Sequence, residues 1–268
     1  MALIFSRWKR PVLILSISLL LGWTGVATAA AQQAWQRLDV VRQLVGDARP
    51  RAEGLKLDLP LVAEDGAAVP LTVAFDGKLE PDDSIESIHL FASGNPNPEI
   101  ATLRFGPQAG KIEVSTRIRL DGSQAVVAVA RSRQGEVIVG SRDVRVTVSG
   151  CLVRTTERSV NPLSTPRVAV ARKVQAGQPL EIRTLIDHPM ETGLRQNAAG
   201  NVLPRRIVSS VRAQFDGEAV LEATFYPAVS ANPYLRFYLA PAKSGQLSLV
   251  WTDDTGLKAT HSAEVKLP

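Results

Sequence analysis

The sequence predicts an all-β protein: two β-sandwich domains behind one short helix. Three observations predict it. From Leu55 onward, apolar residues alternate with polar ones in short runs, the period of a strand with one buried face. The runs recur at intervals of roughly ten residues, separated by Gly or Asp-Gly turn signals. One aperiodic polar stretch, carrying Pro162 and Pro166, divides the series near the middle of the chain.

The first 29 residues stand apart from this pattern. "MALIFSRWKR" carries Arg7, Lys9 and Arg10 and no acid. The apolar run Val12–Gly22 follows, then small residues with Ala27 and Ala29 in an A-x-A arrangement. That order is a Sec-type secretory signal peptide, with cleavage expected near Ala29 to Ala31 and a periplasmic destination. The run is short of the roughly 20 residues that span a bilayer, so no membrane association is expected after cleavage. The whole chain of 268 residues carries 31 Lys+Arg against 26 Asp+Glu. Three of those bases leave with residues 1–29, so the mature charge is only +2. No basic stripe interleaves with aromatics, and a nucleic-acid partner is not expected.

After the signal, "AWQRLDVVRQLVGDA" places Trp35, Leu38, Val41, Leu44 and Val45 at helical spacing, with Gly46 to end the helix. The strands then begin. "LKLDLPLV" alternates Leu55, Leu57, Leu59 and Leu61, and "VPLTVAFD" alternates Leu71, Val73 and Phe75. "KIEVSTRIRL", "AVVAVARS", "EVIVGS" and "DVRVTVSG" complete a first domain over residues 30–150. A linker follows at 151–165. The second series runs over 166–268, from "RVAVARKV" through "RIVSSVRAQFDG" and "GQLSLVWTDDTG" to "LKATHSAEVKL". Asp216-Gly217 and "TDDTG" read as hairpin turns. Two such series, each about 100 residues long, fit immunoglobulin-like sandwiches. The alternate prolines of Asn95–Pro98 predict a rigid turn at a strand end, and "HPMETG" predicts a loop.

Chemistry-bearing residues are few. His89, His188 and His261 are far apart and show no ligand spacing, so no metal and no cofactor is expected. Cys151 is the only cysteine, which leaves a reactive thiol, an intermolecular partner or a buried inert residue. A hydrolase triad could be drawn from Cys151, a histidine and a carboxylate, as in any chain of this size. Strand parity puts Val144, Val146 and Val148 on one face and Arg145, Thr147 and Ser149 on the other. Cys151 continues the second, polar set. Gly150 frees the backbone before it, and Arg142, Arg145, Arg154 and Arg158 are neighbours that favour thiolate. An accessible thiol is the expectation.

Several stretches resemble a known pair of proteins. "LDLPLVAEDGAAVPLTV", "NPNPEIATLRFGP", "STRIRL" and "VRVTVSGC" resemble SoxY, the sulfur-carrier subunit of thiosulfate oxidation. "LIDHPMETGLRQNAAGNVLPRRIVSSV", "ANPYLRFYLAP" and "GQLSLVWTDDTG" resemble its partner SoxZ. The order resembles a fusion of the two, of the kind grouped with quinoprotein dehydrogenases. The resemblance implies a carrier and not an enzyme. In that family a cysteine on a glycine-rich arm holds a sulfur intermediate covalently while periplasmic redox enzymes act on it. Cys151 matches the carrier cysteine, with Ser149 and Gly150 in place of two glycines that give the arm its flexibility. The family arm ends soon after its cysteine, whereas here Leu152 and Val153 follow and the chain continues. The other reading is a non-covalent accessory or binding protein of a periplasmic quinoprotein (PQQ) dehydrogenase. The resemblance also implies that the two domains pair in cis as a tight heterodimer would, each keeping its own sheets.

Overall fold

A computed structural model of the chain describes residues 34–149, 163–171, 175–197 and 199–267. The expected signal segment 1–29, Gly150, Cys151 and most of the linker lie outside the described residues.

The N-terminal helix is shorter than its apolar spacing predicts. A 3₁₀ turn at Trp35–Arg37 is separated from α1 (Asp39–Val45) by Leu38, which is extended at φ −101°, ψ 112°. No side chain caps either start, so seven residues of helix hold by packing and not by propensity. Val41 and Val45 bury against Phe91, Val127, Val129, Val137 and Val139 on the outer face of a sheet.

The first half contributes β1 (Leu55–Asp58), β2 (Val62–Ala63), β3 (Val69–Phe75), β4 (Ile85–Ala92), β5 (Glu99–Phe105), β6 (Ala109–Ile118), β7 (Gln124–Ser132) and β8 (Val137–Val146). The second half contributes β9 (Arg167–Val170), β10 (Leu180–Leu185), β11 (Val208–Phe215), β12 (Glu218–Phe225), β13 (Tyr234–Leu239), β14 (Gly245–Asp253) and β15 (Lys258–Val265). The all-β sandwich class is what the alternation predicts. "EVIVGS" and "DVRVTVSG", read as separate runs, form the single strand β8. Asp216 and Gly217 take the positive φ values of a tight hairpin, 49° and 85°.

The expectation of sheets private to each half is corrected. Among the described residues there are two sheets, and each contains strands of both halves. One has nine strands in the order β15-β14-β11-β12-β5-β4-β7-β8-β2; the other has six, β1-β3-β6-β13-β10-β9. The halves meet edge to edge. β5 pairs antiparallel with β12 from Phe105↔Leu221 to Ala101↔Phe225, and β6 pairs with β13. The unpaired edge strands of each half would otherwise expose rows of amides and carbonyls, and pairing them with each other satisfies both. A single apolar core runs between the sheets and draws on both halves, from Leu71, Ile88 and Leu103 to Phe237, Leu249 and Trp251. Within the second half the ring of Phe225, on the seam strand β12, lies 6.3 Å from that of Trp251 on β14.

Two glycines permit this close approach. A Cβ at Gly106 would lie 2.0 Å from the Ala219 carbonyl oxygen, and one at Gly110 would lie 2.8 Å from the Leu239 carbonyl. The outer face of the six-stranded sheet adds a polar seam. Arg236 of β13 pairs with Glu113 of β6 at 3.0 Å and donates to Ser115, while Tyr238 donates to Glu113 at 3.3 Å. Burial alone would raise the Glu113 carboxyl pKa, but Lys111, Arg236 and Tyr238 outweigh it and hold the group below its ordinary value.

Gly106→Val should therefore force β5 away from β12. The expected loss is about 2–3 kcal/mol, read by denaturant unfolding. Because the core is shared, both halves should melt in one transition. Two separated transitions in the wild-type chain would show that the halves fold independently.

Candidate functional site

The cysteine segment leaves the described structure at Ser149 and re-enters at Leu163, so the site is built from what holds those two ends. On the outgoing side β8 runs parallel to β2. Beyond the strand, the Thr147 amide donates to Ala63 and the Gly66 amide donates to Val148, at 3.0 and 2.8 Å. Ser149 then donates its hydroxyl to Asp121 Oδ1 at 2.6 Å.

Asp121 belongs to a node centred on Asn95. The side-chain oxygen Oδ1 of Asn95 accepts from the Asp121 amide and from Gln124 Nε2, both at 2.9 Å. Its side-chain amide donates to the Arg119 carbonyl at 2.8 Å. The prolines beside it form the predicted turn, closed by the Ala92 amide on the Pro98 carbonyl at 2.7 Å. Asn95 is thus a structural hub between the β4–β5 and β6–β7 connections.

Arg119 carries the network across the seam. Its residue is 8% exposed, between Ile118 and Leu120, both in the core. The guanidinium donates to the Met190, Pro189 and Pro227 carbonyls at 2.5, 3.1 and 3.4 Å. These carbonyls belong to the second half, in or near the predicted "HPMETG" loop. That loop is held in a fixed, left-handed corner. Met190 has φ +52° and is fully buried, and its amide donates to His188 Nδ1 at 3.0 Å. Asn232, also at φ +52°, brackets the His188 peptide: it donates its amide to the His188 carbonyl and accepts the His188 amide. One residue earlier, the Asp187 amide donates to Ser164 Oγ at 3.1 Å, and Asp187 pairs with Arg167 at 2.7 Å. The two ends of the cysteine segment are therefore joined by one continuous path: Ser149, Asp121, Asn95, Arg119, the 187–190 loop, Ser164.

His188 is 5% exposed. Burial first, then the positive charge of Arg206, push its pKa down to about 4 against an opposing pull from Asp253 and Asp254, with Arg119 adding least. Since Nδ1 accepts from Met190, the ring proton of the neutral form sits on Nε2, which is buried without a partner among the described residues. Asp253, 2% exposed, sits beside it. Burial would raise its carboxyl, but donation from Thr255 and Leu257 and the Arg206 charge hold it below the ordinary carboxylate value. A histidine so enclosed orders a loop; it does not exchange protons with a substrate, which speaks against a hydrolase triad through His188.

His89 lies on β4 and His261 on β15, so the structure brings no two histidines together. Among the described residues no group of three or more His, Cys, Asp or Glu side chains could hold a metal ion. No helix among them is long and apolar enough to cross a membrane. Of the site residues expected from sequence, Ser149 is described and held by Asp121, while Gly150 and Cys151 fall outside the described residues. Asn95 and His188 were both marked by their motifs. Arg119 and Asn232 lie within the quoted stretches "STRIRL" and "ANPYLRFYLAP" but were not singled out, and Asp121 lies outside them: a charged residue between two core positions carries no sequence mark of where its head points.

Residues 41–151 match the family described as sulfur oxidation protein SoxY, and residues 168–264 match the family described as sulphur oxidation protein SoxZ. No curated protein matches the chain significantly. Among solved structures, the chain is similar to the sulfur carrier protein SoxY from Chlorobium limicola f thiosulfatophilum, at 29% identity over 41% of this chain and 94% of that one, with a TM-score of 0.34. It also overlaps a superoxide reductase (neelaredoxin) from Ignicoccus hospitalis at 19% identity, over 35% of this chain and 81% of that one, with a TM-score of 0.32.

Two tests follow from the geometry. Arg119→Met leaves three carbonyls without their donor and should cost about 2–4 kcal/mol. Hydrogen exchange should then quicken together at Asp121, Met190 and Asn232; protection lost at Met190 alone would show that the two ends are not coupled. The second test uses pH. Unfolded His188 binds a proton near its ordinary 6.5 but the folded residue only near 4, so protons favour unfolding in that window. Its contribution is complete above about pH 6.5 and is lost as pH falls to about 4, a change on the order of 3 kcal/mol. His89, also lowered to about 4, acts in the same direction. His188→Asn, whose side-chain oxygen can still accept from Met190, should remove roughly half of this decline in urea unfolding. An unchanged slope would place the acid sensitivity elsewhere.

Proposed function

Because this chain is a SoxY domain followed by a SoxZ domain in one polypeptide, we propose that it is an exported, periplasmic carrier that holds a sulfur intermediate covalently on Cys151. The observation that carries the reading is the span of the SoxY match, 41–151, which ends on the only cysteine in the sequence. The neighbouring geometry supports it. Ser149, the last described residue before the cysteine segment, is held by Asp121 at the corner where the two halves are locked together.

The chemistry needs little else from the protein. The thiol gives up its proton, and the thiolate sulfur forms one S–S bond with the outer sulfur of a thiosulfate-like donor. Loading of that kind is a two-electron oxidation, and the electrons leave to a periplasmic redox enzyme. In release a partner's thiolate attacks the outer sulfur and takes the cargo, and the Cys151 thiolate leaves and regains its proton. Arg142 and Arg145 on β8 are the nearest described cations in sequence, and cationic neighbours favour thiolate and an anionic cargo. On this reading the chain is not an enzyme; partners do the chemistry on its cargo.

One observation favours a second reading. Leu152 and Val153 stand where the family arm has glycines, and the chain runs on into the SoxZ domain. An accessory role beside a periplasmic quinoprotein dehydrogenase, without covalent cargo, fits that departure.

Intact-mass spectrometry of protein taken from its native periplasm separates the two. The carrier reading expects a mature chain starting near Ala29 to Ala31, carrying a sulfur-containing adduct that dithiothreitol removes and Cys151→Ala abolishes. In the folded protein the thiol should alkylate at a rate close to that of the denatured chain. An unmodified thiol that resists alkylation until the chain is unfolded, with Cys151→Ala leaving the cell's phenotype unchanged, would overturn it in favour of the accessory reading.

A further inference from the structure

A second polar cluster lies on the outer face of the nine-stranded sheet, beside α1 and away from the cysteine. In register across four strands stand Glu222 of β12, Arg104 of β5, Ser87 of β4 and Arg131 of β7. In the next row His89 lies opposite Thr102. The ring of His89 bridges two nearly buried hydroxyls, Ser87 Oγ at 3.3 Å from Nε2 and Thr102 Oγ1 at 3.2 Å from Nδ1. Ser87 and Thr102 are 5% and 7% exposed.

We propose that this notch binds a small tetrahedral oxyanion of the sulfate class, between the guanidinia of Arg104 and Arg131 and over the hydroxyls of Ser87 and Thr102. The two arginines are the first reason. Their backbones are two strand spacings apart, about 10 Å, so two long side chains over one serine can converge on one anion. Neither has a carboxylate within salt-bridge distance among the described residues. Arg131 spends one arm on the Leu44 carbonyl at the end of α1, at 2.8 Å, and Arg104 is exposed. Glu222, opposite Arg104 in register, is taken by Arg212 at 3.2 Å. Glu86 is exposed, next to Ser87 on β4, and on α1 Asp39 is paired with Arg42 at 2.6 Å.

The hydroxyls are the second reason. A neutral imidazole has one N–H donor and one acceptor nitrogen. One of the two hydroxyls therefore receives the ring proton and keeps its own O–H to give. No other partner holds either hydroxyl among the described residues. The cluster thus offers one hydroxyl donor close to two arginines whose charges both reach His89, and planar guanidinium forks suit a tetrahedral anion. His89 reports the field there. Burial first, then Arg104 and Arg131, lower its pKa to about 4. A bound anion offsets those two cations and must raise it.

The inference does not depend on Cys151, so Cys151→Ala should leave it intact. The experiment is NMR titration of the His89 ring in the full mature chain, in sodium sulfate and in sodium chloride at equal ionic strength. Sulfate should raise the His89 pKa by about one unit or more, saturably. Arg104→Gln, at an exposed position that threatens no fold, should weaken sulfate binding at least about tenfold. Arg104→Gln with Arg131→Gln should abolish the difference between the salts. Equal titration in sulfate and chloride would overturn the proposal, as would a sulfate effect that survives in the double variant.

Discussion

The backbone pairing of β5 with β12 and of β6 with β13 is the constraint on which the remaining architecture depends. A sheet edge is directional and unsatisfied, and it accepts one partner in one register. Once Phe105 is opposite Leu221 and Ser115 opposite Arg236, the halves have no freedom to rotate against each other. The apolar core then closes as a single volume. The loop at 187–190 arrives beside the end of β6 only because both sheets continue through the seam. A face-to-face contact between two closed sandwiches would leave the edges free and would allow sliding; edge pairing forbids it.

Arg119 illustrates what that rigidity permits. Burying a guanidinium is costly unless its donors are met, and here carbonyl oxygens meet them instead of a carboxylate. Carbonyls can do so because Met190 is in a left-handed conformation that turns main chain toward the cation. The strain of a positive φ at a non-glycine residue, about 1–2 kcal/mol, is offset by the charge-assisted bonds it creates. His188 completes the corner by accepting from the Met190 amide, which requires a deprotonated Nδ1 and hence a neutral ring. The buried cation and the neutral histidine are two halves of one arrangement: each positive charge nearby keeps the proton off His188, and the unprotonated ring keeps Met190 in place.

Much of this was legible in the sequence, and the limits have physical causes. Strand alternation is written in side chains, so "VPLTVAF" and "LEIRTL" announced β3 and β10 directly. The turns were legible because proline and Asp-Gly restrict φ. Edge pairing between halves is made by main-chain groups, which every residue carries, so no run of letters distinguished two closed sandwiches from two shared sheets. Gly106 and Gly110 were the only sequence trace of the seam, and a glycine after a strand reads equally well as a turn. The helix was over-read because Trp35 and Leu38 pack at helical spacing without belonging to the same helix. At the site, "NPNP" and "DHPMETG" stood out through their prolines, while Arg119 follows directly on an ordinary amphipathic strand.

The joining of two domains in one chain changes the physics of a carrier in two opposing ways. Pairing of separate subunits weakens on dilution, whereas pairing within a chain proceeds at an effective concentration in the millimolar range for a short linker. Dilution therefore cannot separate these halves. The cost falls on reach. A terminal tail extends by its full contour, but a segment fixed at Ser149 and at Ser164 must return, and a residue close to one anchor stays close to it. On the carrier reading, a partner enzyme must come to the corner where the halves meet and cannot wait for a thiol to be delivered deep inside it. That reading favours partners with shallow or open sites, because a thiol in a segment tied at both ends reaches less far than one on a free tail.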